Sequence, residues 1–280
     1  MKKNKLFIAL NNYRKPNPLA NYGVLLAKTL ERPAHLFGVQ KVPLVPNPDA
    51  LIDASIDSVN NVGIQAIKEQ AYNNLEDLKH EVSQFYKHIS TDLEVGFPEQ
   101  TIVQKAEEEN PYMVLLEGNS ELTTLHEWFG TYETRIAENI NAPVLVIPND
   151  YLFQPVNTVV YLMELDDHKV SNMRLLTDVT KELEAKVEVV FLSEERSEET
   201  ISKYTDIVGT MKNLLNYQNV NFTQIFTDAN AAETIEIVMG RVKPDWLAFE
   251  HDSKSFFERM VDNYNTKRLI LQSEIPVLVF

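Results

Sequence analysis

The chain has 280 residues, 44% hydrophobic and 24% charged, an ordinary globular balance that excludes wholesale disorder. Its 41 acidic against 26 basic side chains leave a net charge of −15, which repels phosphate backbones and anionic lipid, so no nucleic acid and no membrane surface is expected as a partner. The absence of cysteine excludes disulfides, thiolate metal sites and thiol nucleophiles, and eight glycines leave little material for phosphate-cradling loops.

Lys2, Lys3 and Lys5 precede the apolar run Leu6–Leu10. That run is shorter than the roughly 7–15 residues of a signal core and the roughly 20 of a membrane span, so a cytoplasmic protein is expected. Leu6–Leu10 reads instead as a short buried strand. Asn17-Pro18 then supplies an N-cap and a proline for the first helical position, and Tyr22, Leu25, Leu26, Thr29 and Leu30 fall on one stripe of the helix that follows. Ala34–Val42 reads as the second strand. Ile64, Ile67, Ala71, Leu75, Leu78, Val82 and Phe85 step by three and four along a long helix, and Leu93, Val95 and Phe97 alternate in a third strand over Asp92–Phe97. Pro98 opens a short helix to Glu109, Tyr112–Glu117 is a fourth strand, Leu122–Ile140 a helix and Val144–Ile147 a fifth strand. The order then repeats: strand Thr158–Met163, helix Lys169–Leu183, strand Val187–Leu192, helix Glu198–Leu215, strand Val220–Phe226, helix Ala231–Val242, strand Trp246–Glu250, helix Phe256–Leu271 and strand Val277–Phe280.

The repetition extends to residue identity. Pro111–Glu117 is echoed by Pro244–Glu250, Arg135 by Arg268, and Ala142-Pro-Val-Leu-Val-Ile147 by Ile275-Pro-Val-Leu-Val-Phe280, all at an offset of 133. Leu6–Leu10 meets Val159–Met163 at an offset near 153, so the second copy lacks about 20 residues between its second and third strands, opposite the proline-containing loop 43–61 of the first. Two copies are therefore expected, residues 1–150 and 151–280. Each has five apolar strands alternating with helices, which argues for a parallel, doubly wound α/β sheet with ligands beyond the carboxyl ends of its strands.

These features resemble the universal stress protein family in its tandem two-domain form: a first strand ending in a polar residue, a fourth strand followed by Gly118-Asn-Ser, and a last helix leading into Pro-Val-Leu-Val, each set in a duplicated strand–helix order. The resemblance covers essentially the whole chain. It implies two tandem copies of a five-stranded parallel sheet of the adenine-nucleotide alpha hydrolase-like kind, joined as an intrachain pseudo-dimer in which Val144–Ile147 and Val277–Phe280 meet or pair, with a homodimer also open to the chain. Some members bind ATP or AMP and others do not.

In the nucleotide-binding branch a loop Gly-x2-Gly-x9-Gly-Ser/Thr follows the fourth strand, where glycines let backbone N–H groups approach phosphate. The resemblance marks Asn11, Val39, Gly118, Asn119, Ser120, Gly130 and Thr131 as the cofactor-side positions of the first copy. Glu121 stands where the second glycine belongs, the pair Gly130-Thr131 arrives one residue early, and Asn11 replaces the family's aspartate. In the second copy His251 replaces the first glycine, and Phe256 and Phe257 stand where phosphate should approach. ATP or AMP is thus open to the first copy and not expected in the second.

No catalytic residue and no metal ligand is assigned. The six histidines lack His-x3-His spacing, and Asp166-Asp167-His168 reads as a helix cap. Glu107–Glu109 reads as a solvated helix end, and Ser120, Thr123, Thr124 and Ser253 lack a hydrolase setting. Trp128-Phe129 reads as packing. Glu117 and Glu250 recur at the ends of equivalent strands, in a hydrogen-bonding or cation-binding role. The expected function is a nonenzymatic stress-response binding or scaffolding protein, with an unidentified protein or small molecule as partner. An ATP/AMP sensor using the first copy is the alternative.

Overall fold

Strand β1 (Leu6–Leu10) is buried along its whole length, as a central strand covered on both faces must be. In the computed structural model, residues 4–13, 15–41, 54–118, 132–165, 170–193, 196–226, 231–250 and 275–280 are described. The chain divides into two compact units, Met1–Glu117 with Asn139–Ala142, and Gly118–Glu138 with Pro143–Phe280.

The first unit holds β1, β2 (Ala34–Lys41), β3 (Ile89–Gly96) and β4 (Met113–Glu117), all parallel in the order β3-β2-β1-β4. Helix α1 (Pro18–Thr29) starts where Asn17 caps it: the side-chain oxygen accepts from Ala20 N at 2.9 Å, and Pro18 follows at the first helical position. Helices α1 and α2 (Ala54–Val82) lie on one face. Gly23 of α1 stands so close to β1 that a Cβ there would sit 2.5 Å from Ile8 Cδ1. Helix α3 (Pro98–Glu109) covers the opposite face, where Lys105 Nζ reaches Asp92 of β3 at 2.7 Å and lies 5.9 Å from the centre of the Phe37 ring.

The second unit holds α4 (Tyr132–Glu138), β5 (Val144–Ile147), β6 (Thr158–Glu164), α5 (Val170–Glu182), β7 (Lys186–Ser193), α6 (Glu198–Leu214), β8 (Val220–Phe226), α7 (Ala231–Val242), β9 (Trp246–Phe249) and β10 (Val277–Val279). Strands β8-β7-β6-β9-β10 run parallel, and β8-β7-β6-β9 repeats the strand order of the first unit. The expected meeting of the two Pro-Val-Leu-Val strands is found: β10 pairs antiparallel with β5, with Val277 opposite Val146 and Val279 opposite Val144. This pairing places β5 with the second unit. The shortening of the second copy falls where expected, since α6 has 17 residues against 29 in α2.

Several details differ from the sequence reading. On α1, Leu25 is half-buried and Thr29 exposed, while Gly23, Val24 and Ala27 are buried; the glycine draws that flank onto Ile8 and rotates the inward stripe. Strand β3 begins at Ile89, earlier than expected, because Ile89 to Asp92 pair with Ala34 to Phe37 of β2. Phe97 is 63% exposed and belongs to the N-cap of α3 instead of a strand. Along α2, Ala71, Leu75, Leu78 and Val82 are buried, but Ile67 and Phe85 are exposed, the latter lying past the helix end. The expected loop 43–61 ends earlier than read, because 54–61 already belong to α2; Val42, residues 43–53, the Leu122–Thr131 part of the fourth helix and Phe256–Leu271 lie outside the described residues, as does the side chain of Ile64.

Candidate functional site

Three of the cofactor-side positions are described. Asn11 follows β1 and is exposed, Val39 is buried on β2, and Gly118 follows β4. Asn119, Ser120, Gly130 and Thr131 lie outside the described residues, with Glu121, Thr123, Thr124, Trp128, Phe129, His251, Ser253, Phe256 and Phe257, and the Asp166–His168 cluster. Gly118 is closely held: its N–H donates to Ile147 O at 2.7 Å, and a Cβ on it would stand 3.3 Å from that same oxygen. This N–H completes backbone pairing and is not aimed at a ligand.

The carboxyl ends of β1 and β2 carry a feature that the glycine count alone does not suggest. Asn17, buried at the start of α1, donates through Nδ2 to Asn12 O at 3.1 Å and so folds the loop back over the sheet. Tyr13 then lies against Gly38, the neighbour of Val39. A Cβ at residue 38 would meet Tyr13 Cε1 at 2.6 Å, its hydroxyl at 2.7 Å and Leu93 Cδ1 at 2.8 Å. Only glycine leaves room for the ring. The Tyr13 hydroxyl is buried without a hydrogen-bond partner among the described residues, and burial pushes its pKa up to about 12.

At the equivalent strand ends of the second unit the chemistry differs. Glu250 is 1% exposed and accepts from Tyr161 Oη at 2.8 Å, and Tyr161 meets the Phe280 ring edge-on at 6.0 Å. Glu117, its repeat counterpart, is half-buried, and the residue matching Tyr161 in the first copy is Ile8. The two carboxylates thus share a position without sharing a partner.

A third constellation lies on the α3 face, toward the amino ends of the first unit's strands. His35 is the second residue of β2, Asp92 belongs to β3, and Glu109 ends α3, which runs back toward those ends. Their ligand-capable atoms all lie within 4.8 Å of one another. Phe7 and Phe37 flank the imidazole, with ring centres at 5.5 and 6.3 Å. Its Nδ1 is 2.8 Å from Ser90 Oγ, and its Nε2 is 3.7 Å from Glu109 Oε1. Lys5 holds Glu109 Oε2 at 2.6 Å, and Lys105 holds Asp92 Oδ2 at 2.7 Å and Glu94 Oε1 at 3.2 Å. Burial drives the His35 pKa down to about 4, against the opposing pull of Glu109. Burial pushes the Asp92 carboxyl up, but the Lys105 ammonium and the Leu93 N–H outweigh it and hold the group below its ordinary value. No sequence spacing flags this group, because its members come from two strands and a helix; three acidic residues ending α3 are the one visible trace.

Among the described residues no helix is long and apolar enough to cross a membrane. Compared by sequence, the chain matches no family model and no curated protein. Compared by structure, it has the fold of tandem universal stress proteins. A universal stress protein from Archaeoglobus fulgidus DSM 4304 is 13% identical with a TM-score of 0.66, covering 99% of this chain and 95% of that one. A putative universal stress protein from Pseudomonas aeruginosa UCBPP-PA14 is 14% identical with a TM-score of 0.58, covering 99% of this chain and 92% of that one. The cytoplasmic domain of a prokaryotic cation chloride cotransporter is 11% identical with a TM-score of 0.50, covering 100% and 95%.

Proposed function

We propose that this chain is a nonenzymatic binding or scaffolding protein of the universal stress type, cytoplasmic, and acting through a protein or small-molecule partner without using ATP or AMP. The observation that carries the reading is the seating of Tyr13 on Gly38. In open parallel sheets ligands enter beyond the carboxyl ends of the strands, and in the first unit Tyr13, three residues past β1, packs on Gly38 of β2, level with the carboxyl end of β1. The occupied N–H of Gly118 supports the same reading, as does Glu121 at a loop position where a carboxylate would repel phosphate. The cotransporter domain is a precedent for this fold as one part of a larger assembly.

The test is the thermal unfolding midpoint of the purified chain with and without magnesium ATP, ADP and AMP at millimolar concentration. No shift is expected. A ligand at 100 times its dissociation constant adds about 2.7 kcal/mol, so a shift of that order, lost in Gly118→Asp, would overturn the reading in favour of a sensor using the first copy. That alternative rests on Gly118, which keeps the first glycine of the phosphate loop at the end of β4.

A further inference from the structure

We propose that His35, Asp92 and Glu109 form a binding site for one divalent transition-metal ion, of the class that accepts mixed imidazole and carboxylate ligands, with Zn2+ as its representative and Co2+ as its spectroscopic substitute.

The geometry starts with the imidazole. Ser90 Oγ lies 2.8 Å from His35 Nδ1 and 3.5 Å from Ala34 O; in the tautomer that an ion at Nε2 selects, Nδ1–H donates to Ser90 Oγ and Nε2 carries the lone pair. His35 is 4% exposed, its Nε2 has no hydrogen-bond partner among the described residues, and that atom lies 3.7 Å from Glu109 Oε1. A cation placed between these two electron-rich atoms would satisfy both. The rings of Phe7 and Phe37 wall the imidazole on its other sides and leave Nε2 facing the two carboxylates. A metal ion satisfies both atoms and recruits Asp92 from the neighbouring strand.

The donor set has the chemistry of such a site. Zinc binds nitrogen and carboxylate oxygen at about 2.0–2.2 Å, so donors now within 4.8 Å of one another must close inward around the ion. Asp92 and Glu109, neither of them fully buried, close this gap by side-chain rotation while His35 stays fixed by Ser90. Around the three donors, Lys5 holds Glu109 Oε2, the Leu93 N–H donates to Asp92 Oδ1, and Lys105 competes with an ion for Asp92 Oδ2. The two ammonium groups neutralise the carboxylates and lower affinity for a second cation, so removing Lys105 should tighten binding.

The second unit is an internal control. At the repeat offsets its counterparts of His35, Ser90, Asp92 and Glu109 are Glu188, Asn221, Thr223 and Val242, with Asn221 Nδ2 donating to Glu188 Oε1 at 3.2 Å. That set lacks the imidazole and keeps one carboxylate.

The experiment is calorimetric titration of the chelator-treated full chain with Zn2+, paralleled by visible absorption on adding Co2+. One ion per chain is expected, with ligand-field bands for Co2+. Glu109→Gln and His35→Gln should each weaken binding by more than tenfold, Ser90→Ala by about ten- to a hundredfold, and Lys105→Met should strengthen it. Glu188→Gln should leave it unchanged. Because His35→Gln alters a buried residue, the half-exposed Asp92→Asn provides a second route to the same loss. Absence of binding at millimolar Zn2+, or binding that survives both Glu109→Gln and Asp92→Asn, would overturn the proposal.

Discussion

Glu31 and Glu184, 153 residues apart, occupy the same left-handed turn, with φ of 50° and 57°. Each follows a helix that leads to the second strand of its copy, and each turn is closed by three matching backbone bonds. Leu30 N→Leu26 O, Glu31 N→Lys28 O and Arg32 N→Ala27 O in the first recur as Leu183 N→Val179 O, Glu184 N→Lys181 O and Ala185 N→Thr180 O in the second. Asn110 and Lys243, separated by 133, repeat the relationship after α3 and α7 with φ of 44° and 49°. The duplication is thus retained in hydrogen bonding even where side chains have diverged. A left-handed residue with a Cβ costs about 1–2 kcal/mol, so Glu184→Gly should raise stability by about 1 kcal/mol in thermal or urea unfolding. A loss of stability would show that the Glu184 side chain contributes more than its backbone costs.

Gly23 sets the approach of α1 to the sheet. The methyl of Gly23→Ala would enter the space of Ile8, a fully buried side chain on the central strand. Overpacking of this kind typically costs about 1–3 kcal/mol. Denaturant unfolding should show the midpoint fall with little change in slope, and a neutral result would mean that α1 can move outward freely.

Tyr13 supplies a pH-dependent signature. Its folded pKa is raised to about 12 from an ordinary 10.0, so between those values the native state keeps a proton that the unfolded chain releases. Its contribution to stability is therefore intact below pH 10 and is lost as pH rises toward 12. Tyr13→Phe removes a buried hydroxyl that has no hydrogen-bond partner among the described residues, so the variant should be as stable as the parent at pH 7 or slightly more so, and should lose less stability on titration to alkaline pH. Identical alkaline profiles for the two proteins would contradict the burial.

Strand β10 should be indispensable. Removing Val277–Phe280 would expose the edges of both β5 and β9 and take away the Phe280 ring that meets Tyr161. Exposed apolar edges promote association. The truncated protein should be insoluble or melt well below the parent, and a soluble, fully stable product would refute the pairing.

What the sequence disclosed and what it concealed have physical reasons. Asn17-Pro18 and Pro98 mark helix starts because capping is local chemistry, and β1, α3 and β5 begin and end where their residues indicate. The start of β3 was hidden because Ile89-Ser-Thr carries a polar character that only pairing with β2 overrides. Tyr13 gave no sign of its position, although Gly38 within a strand is the mark of a close approach. His35, Asp92 and Glu109 were beyond reach in another way, since their meeting depends on the register of two strands and the length of α3. Asn119, Ser120, Gly130 and Thr131 remain readings of the sequence.

The antiparallel seam between β5 and β10 has a kinetic consequence. Its partners lie more than a hundred residues apart, Val146 opposite Val277 and Val144 opposite Val279. Bringing them together closes a long loop, a cost that must be met before the contact returns any stability. β10 also needs β9 beside it, so this ladder belongs to the late events of folding. Until it forms, the apolar Val144–Ile147 strand waits with an open side, and the crossing of that interval is when the chain is most exposed to capture by another of its own kind.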